Sequence, residues 1–569
     1  MAKEFFQALV NLRNSLSKVI KTDFPEIDIP SLGLEVCITK EMSQGDFSTN
    51  AVFKIAKILN RDPLEIGRVV FNTLGPVIND DLSLKNIIQK CELKPPGFIN
   101  FFVAEHYLHG AIVRIILEKD NYGRPTLGEG ENVQVEFVSA NPTGPLSIAH
   151  GRQAAIGDAL AKILTFIGYS VTKEYYINDE GLQIDNLGKS IWVRYRQQFG
   201  ENLELPEDGY KGDYISELAQ KVPANLKGKY SAWNIETKEF FTTFGCREIL
   251  SIIKDDLNKF GVQFDSWVKQ SDLIKSGRVS EAISFLRKKG FIYDKDGALW
   301  LKSTLFGDDK DRVVVKSDGS FTYIASDIAY HKAKFERGFK EMINLWGPDH
   351  HGYIPRLLAA VQALGYNPQQ LKILIVQLAT LYRNGQFVPM STRAGSFVTL
   401  KEVIDEVGKD VARFFFLKRR LDSHLEFDLT AAKEESLENP VYYIQYANAR
   451  IASLGDYARK NGIDLEVTAE NRDSLISVLN NLTGDELILA RILQQFPYVL
   501  LAVHEHLEPN LLISYLETLA KTFHQYYARY RIVGSDSNIT QARILMASAI
   551  AVVIKNGLGL LGVSFPDKM

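Results

Sequence analysis

VQVEFVSANPTGPLSIAHGRQAAIGDAL, Val133 to Leu160, is the stretch on which the reading of the fold turns. Its first eight residues are rich in β-branched and aromatic side chains and predict a strand. Pro142, Gly144 and Pro145 then break the chain into a loop. Beyond it Ile148, Ala155, Ile156, Ala159, Leu160, Ile163, Leu164 and Ile167 recur on one helical face. VTKEYYI, Val171 to Ile177, is a second strand. Strand, loop, helix, strand is a βαβ unit and implies a parallel sheet. The amides of such a helix start, with the positive end of its dipole, suit an anion. The carboxyl edge of a parallel sheet is also where open α/β folds take their ligands. His150 stands at that edge and can donate to a phosphate oxygen as charge develops there. On spacing alone, a nucleotide site and a tight βα turn with a surface histidine both stand.

Working outward, residues 1–120 mix helices with short strands. Phe5, Leu9, Leu12 and Leu16 keep helical spacing, Asp46 to Asn50 reads as a turn capping a helix over Ala51 to Leu59, and PPGFINFFV (Pro95 to Val103) as a turn and strand. DNYGRPTLGEGEN, Asp120 to Asn132, has linker composition. A Rossmann-like domain is expected over 131–410, with further strands at Arg312 to Val315, Met342 to Trp346 and Leu371 to Val376. A charged helical insertion falls at about 190–257. After Val411 strand signals fade. Helical patterns run over Ala432 to Lys460, Leu475 to Leu507, Leu511 to Arg529 and Ile539 to Leu560, so 411–569 reads as an all-α bundle. The whole is an α/β multidomain chain: an N-terminal α+β domain, a parallel-sheet domain and a helical domain.

The 569 residues exceed what one core accommodates. With 66 basic against 69 acidic residues, a tail-driven nucleic-acid binder is excluded, but local basic stripes are not. Cys37, Cys91 and Cys246 are too few and too scattered for a disulfide framework or a zinc ribbon, which fits a reducing, cytoplasmic setting. The N-terminus reads as an amphipathic helix rather than a signal peptide, and no stretch is expected to cross a membrane. Asp349, His350 and His351 do not make a tetrahedral metal site, since adjacent histidines rarely share one ion.

EFVSANPTGPLSIAHGRQAAIGDAL closely resembles the signature region of arginyl-tRNA synthetases. Further matches follow in the family's order: YYINDEGLQI (Tyr175 to Ile184), YIASDIAYHKAKFERGF (Tyr323 to Phe339), WGPDHHGYIPRL (Trp346 to Leu357), MSTRAGSFVTL (Met390 to Leu400), VGKDVARFFFL (Val407 to Leu417) and ENPVYYIQYANAR (Glu438 to Arg450). The resemblance implies arginine recognition by Glu136, Ser139, Asn141, Tyr323 and Asp327. It implies nucleotide contact by His150, Gly151, Gly347, Asp349, His350 and Met390, with magnesium arriving on ATP. It also implies tRNA contact by Tyr443, Tyr446, Tyr527 and Met569 in the helical domain and by Asn100 in the first domain. The chemistry agrees: a guanidinium is a planar fork that carboxylates pair with bidentately, and unpaired bases stack on aromatics. Without the resemblance, Asp327 is equally a helix cap, Glu136 a structural ion pair, and Tyr443 and Tyr446 helix packing.

Two places depart from the family's pattern. The family motif His-x-Gly-His has Ser147 and Ala149 in its first and third positions. The mobile Lys-Met-Ser-Lys loop reads Pro389-Met390-Ser391-Thr392-Arg393, which leaves Arg393 as the nearest cation for the transferring phosphate. Ser147, His150, His350, Ser391 and Arg393 are therefore the expected catalytic groups. The family activates arginine as an adenylate, typically once tRNA is bound, then passes it to the 2′-hydroxyl of the terminal ribose. A monomer is expected. Two rivals remain: a tRNA-binding relative without adenylation, and an enzyme of other specificity on this fold.

Overall fold

The computed structural model of the protein describes residues 2–39, 44–125, 127–388, 397–434, 436–463, 465–534 and 536–569. Met390, Ser391 and Arg393 lie outside them. Five parallel strands form the central sheet: β1 (Asn132–Glu136), β2 (Ser170–Ile177), β3 (Ser266–Lys269), β4 (Glu341–Trp346) and β5 (Leu371–Ile375), in the order β5-β4-β1-β2-β3. Val135 at its centre is opposite Lys173 of β2 and Ile343 of β4. β1 is covered on both faces, so Val133, Gln134, Val135 and Glu136 are all buried.

Helix α1 (Ile148–Phe166) connects β1 to β2 and is buried nearly all round. Gly157 lets it approach the sheet: a Cβ there would lie 2.2 Å from the ring of Phe137. The crossover from β2 to β3 carries α2 (Leu182–Gln197), a short helix Asp213–Gln220 and α3 (Ile235–Lys259). The charged insertion at 190–257 is therefore most of this crossover. Arg312–Val315 is a strand but not of the parallel sheet; it pairs antiparallel with Ala298–Leu301, which pairs with Ile292–Lys295. β-Propensity marks a strand without saying which sheet it joins. Helices α4 (Tyr323–Glu336) and α5 (Ile354–Ala363) flank β4 in the chain.

In the first domain Cys37–Ile38, Phe47–Thr49, Phe98–Val103 and Ile88–Lys94 make an antiparallel sheet in that order. The turn expected at Asp46 to Asn50 is mostly strand, because Phe47 pairs with Phe101 and Thr49 with Ile99; tertiary pairing overrides local turn preference. The helix Ala51–Leu59 starts where the sequence places it.

Strands do not end at Val411: Leu425–Asp428 pairs in parallel with Ala379–Arg383, a segment too short and charged to read from pattern. After α6 (Lys409–Leu417) come α7 (Pro440–Lys460), α8 (Asn510–Arg529) and α9 (Ser537–Leu561). α7 begins at Pro440 rather than Ala432, capped by Asn439, whose side chain accepts from the Val441 amide. The run Leu475 to Leu507 is three helices (Arg472–Leu479, Asp485–Gln494 and Phe496–His506), broken at Gly484 with φ 52° and again before Pro497. By length and composition α9 could cross a membrane, contrary to the expectation that no stretch could. Its apolar side chains are instead packed inside the bundle, with Leu545, Ile550, Val553 and Leu558 at most 1% exposed.

Two buried arginines tie these parts together. Arg413 on α6 donates to Asp158 Oδ2 of α1 at 2.6 Å, to the Phe260 carbonyl past α3 at 3.2 Å and to the Leu561 carbonyl ending α9 at 3.0 Å. Arg152 of α1 donates to the carbonyls of Gln377, Arg420 and Ser423 at 2.7–2.9 Å.

Candidate active site

A cavity of about 540 Å³ opens at the carboxyl ends of β1, β2, β3 and β4, where an open parallel sheet is expected to take its ligand. Glu136, Ser139, Asn141, His150, Tyr323, Asp327, Gly347, Asp349 and His350 all line it. Tyr176, Asn178, Gln153, Gln270 and Tyr353 line it as well, and pattern reading did not single them out. They come from strand ends and helices far apart in sequence, each without a local signal of its own.

The chain leaves β1 through Val138 (φ 68°) and Ser139 (φ 38°), both left-handed, a conformation unusual for a β-branched residue. That bend places Ser139 Oγ where it donates to Glu136 Oε1 at 3.2 Å and accepts from the Tyr176 amide at 3.1 Å. Asn141 donates to Gln183 Oε1 at 2.8 Å.

Ser147 is the N-cap of α1, and its amide donates to Nδ1 of His150 at 3.2 Å. With Nδ1 accepting, the neutral ring carries its proton on Nε2. Burial pushes His150 down to about 4, so it is a neutral donor at physiological pH. Ser147 thus orients His150, and its pairing with Thr399 ties this turn to the start of the helix Leu400–Val407. Gly151 faces away from the cavity: a Cβ there would meet Leu400 Cδ1 at 2.7 Å and Phe416 at 3.0 Å. Its smallness lets α1 pack closely against Leu400 and Phe416.

Helix α4 presents Asp327, Tyr330, His331 and Lys334 on one side, as spacings of three and four residues require. Tyr353 donates to Asp327 Oδ2. Burial, reinforced by the negative charge of Glu136, pushes Asp327 up to about 6. Sequence alone leaves Glu136 open between a guanidinium acceptor and an ion pair. In the structure its Oε2 accepts from the buried Lys334 ammonium and from Tyr330 at 3.1 Å. Behind them Glu174 takes Arg337 at 2.5 and 2.9 Å and Tyr330 at 2.6 Å. Tyr323 is 57% exposed at the mouth, its hydroxyl beside Gly181. On the other side Asp349 and His350 are exposed and 3.5 Å apart, and a Cβ on Gly347 would meet Asp349 Oδ1 at 2.6 Å.

A second cavity, about 880 Å³, lies in the helical domain and is lined by Tyr446, Tyr527 and Met569 together with Arg450, Arg531 and Lys568. Arg450 sits between two rings, its guanidinium 4.5 Å from the centroids of both Tyr446 and Tyr527. Tyr443 does not line this cavity; its ring packs on His524 at 4.4 Å. Asn100 is 2% exposed within its strand, so its side chain is not offered to a tRNA in this conformation.

Three sequence families match the chain. Residues 111–423 match the catalytic domain of the class I tRNA synthetases (R), 444–569 the DALR anticodon binding domain, and 10–103 the arginyl tRNA synthetase N terminal domain. The arginine–tRNA ligase of Syntrophotalea carbinolica is 44% identical over 95% of each chain. That of Thermotoga maritima is 41% identical over 99% of this chain and 100% of its own. The arginyl-tRNA synthetase structure from Thermus thermophilus shares the fold, with a TM-score of 0.75 at 22% identity over 98% of this chain and 100% of its own.

Proposed function

The chain belongs to the class I arginyl-tRNA synthetases, and from that premise we propose how its own residues divide the work. It is an ATP-dependent arginine–tRNA ligase. The observation that carries the assignment of roles is that Asp327, half-buried and receiving one hydrogen bond among the described residues, shares one cavity with a neutral, donor-poised His150.

Asp327 receives the substrate guanidinium, with Tyr323 over the mouth and Ser139 and Asn141 holding the bend beside it. The arginine α-carboxylate oxygen attacks the α-phosphorus of ATP, the bond to the bridging oxygen of the β-phosphate breaks, and pyrophosphate leaves. His150 Nε2–H donates to phosphate oxygen as charge moves, and Gly347, Asp349 and His350 form the nucleotide side. Ser391 and Arg393 are assigned to the same phosphates. The 2′-hydroxyl of the terminal ribose then attacks the adenylate carbonyl and AMP departs. Among the described residues no three His, Cys, Asp or Glu converge on a common point, and Asp349 faces solvent. That donor set suits magnesium carried in by ATP.

The cavity around Tyr446, Arg450, Tyr527 and Met569 takes unpaired anticodon bases, with stacking and three nearby cations as its chemistry. A cytoplasmic monomer is the working state. The test is arginine-dependent exchange of pyrophosphate into ATP, with and without tRNA. Exchange that requires arginine and is raised by tRNA is expected. Binding of tRNA with no exchange would instead favour a relative that has lost adenylation.

A further inference from the structure

We propose that Tyr214 is a positioning residue for the activation step: its hydroxyl locks the turn that presents the Ser147 amide to His150. This rests on the assignment of His150 as the donor to the reacting phosphate.

The segment 137–147 joins β1 to α1 and is anchored near both ends. Tyr175 of β2 donates its hydroxyl to the Ala140 carbonyl at 2.8 Å, and the Leu400 amide donates to the Leu146 carbonyl at 2.7 Å. Between these anchors lies Pro142-Thr143-Gly144-Pro145. Each proline has a fixed φ, so Gly144 is the link with the widest backbone freedom in the turn.

Tyr214 acts at that link. Its hydroxyl donates to the Thr143 carbonyl at 2.9 Å. The ring lies directly against Gly144, where a Cβ would come within 3.1 Å of the hydroxyl oxygen and 3.2 Å of Cζ. Only glycine leaves room for the ring without a shift. Burial pushes the Tyr214 phenol above its usual range, so the hydroxyl keeps its proton and stays a donor at physiological pH.

Tyr214 does not line the cavity. It comes from the crossover insertion, on the short helix Asp213–Gln220, which packs on α2 and buries Ile215, Leu218 and Ala219. From α2 itself Gln183 accepts from Asn141 of the same segment. The insertion thus holds the turn before α1 at two points, and only the Tyr214 contact falls at the free link.

The consequence reaches His150. The turn sets the direction of the Ser147 amide, which donates to His150 Nδ1 and so leaves the ring proton on Nε2. If Thr143 and Gly144 swing, that amide swings with them and the ring loses its aim. A misaimed donor costs rate more than affinity, because its bond strengthens as charge develops on the phosphate. A hydroxyl from the insertion therefore serves the transition state without touching a substrate.

The test is arginine-dependent pyrophosphate exchange by the full chain with tRNA present. It compares wild type, Tyr214→Phe, His150→Ala and the double variant, with a thermal unfolding midpoint for each. Tyr214→Phe keeps the ring on Gly144 and removes one oxygen, so the fold is expected to stand. It should lower kcat about tenfold while the KM for arginine changes by less than about twofold. In the His150→Ala background the same substitution should lower kcat by less than about twofold, because the group it positions is gone. An unchanged kcat in Tyr214→Phe overturns the proposal. So does a full further loss in the double variant, which would make Tyr214 a structural part with no path through His150. Full kcat in His150→Ala overturns the assignment of His150 first, and this proposal with it.

Discussion

Tyr353 donates its hydroxyl proton to Oδ2 of Asp327, and among the described residues this is the one hydrogen bond that carboxylate receives. Glu136, on the same floor, is held by the Lys334 ammonium and the Ser139 hydroxyl, with the Tyr330 hydroxyl at 3.1 Å sharing its one proton with Glu174. The contrast makes Asp327 the acceptor with unspent capacity. Asp327→Asn should lower kcat/KM for arginine by about 10²–10³-fold, the cost of leaving a buried charged group unpaired, with the KM for ATP little changed. Steady-state exchange kinetics in both substrates check this; equal losses for arginine and ATP would contradict it.

The same carboxyl is pushed up to about 6 by burial and by Glu136. The guanidinium pairs with the ionised form, so arginine binding is full above that value and weakens as pH falls through it. Below about pH 6 the dissociation constant should rise roughly tenfold per unit, and binding near pH 6 should release protons. Calorimetry in buffers of different ionisation enthalpy measures the release. An affinity that stays flat from pH 7 to 5 would contradict it.

His150 is neutral through the physiological range and oriented by the Ser147 amide. His150→Ala should lower kcat for exchange by about 10²–10³-fold with little effect on the arginine KM, as for loss of one transition-state donor. A rise confined to the KM would place this histidine in binding instead.

How much of this was legible in the chain depends on the range over which each signal acts. The βα turn and His150 declare themselves locally, through Pro142, Gly144 and Pro145 and the helical periodicity that follows. Asp327 and Tyr323 were placed by family resemblance, and the structure brings both to the cavity. Lys334, Tyr353 and Gln270 were not legible, because their meaning lies in contacts across the fold: Lys334 on α4 meets Glu136 on β1, 198 residues away. The packing role of Gly151 was hidden for a related reason. A glycine beside a phosphate-facing helix start and a glycine under Leu400 and Phe416 look alike in sequence.

Arg413 belongs to the same long-range class, joining α1, the end of α3 and the end of α9 with a side chain that is 0% exposed. Arg413→Met strands two buried carbonyls and weakens the charge balance at Asp158. It should cost about 3–5 kcal/mol and lower the thermal unfolding midpoint. A midpoint unchanged by this substitution would show the three elements to be held by packing alone.

Most direct is charging of purified arginine tRNA by the full chain with labelled arginine, lysine and citrulline, with and without ATP. ATP-dependent charging with arginine is expected, with lysine and citrulline disfavoured by at least about 10³-fold, because each leaves the Asp327 acceptor without its planar charged fork. Comparable charging with lysine, or tRNA bound with no amino acid transferred, would contradict the assignment of this cavity to arginine.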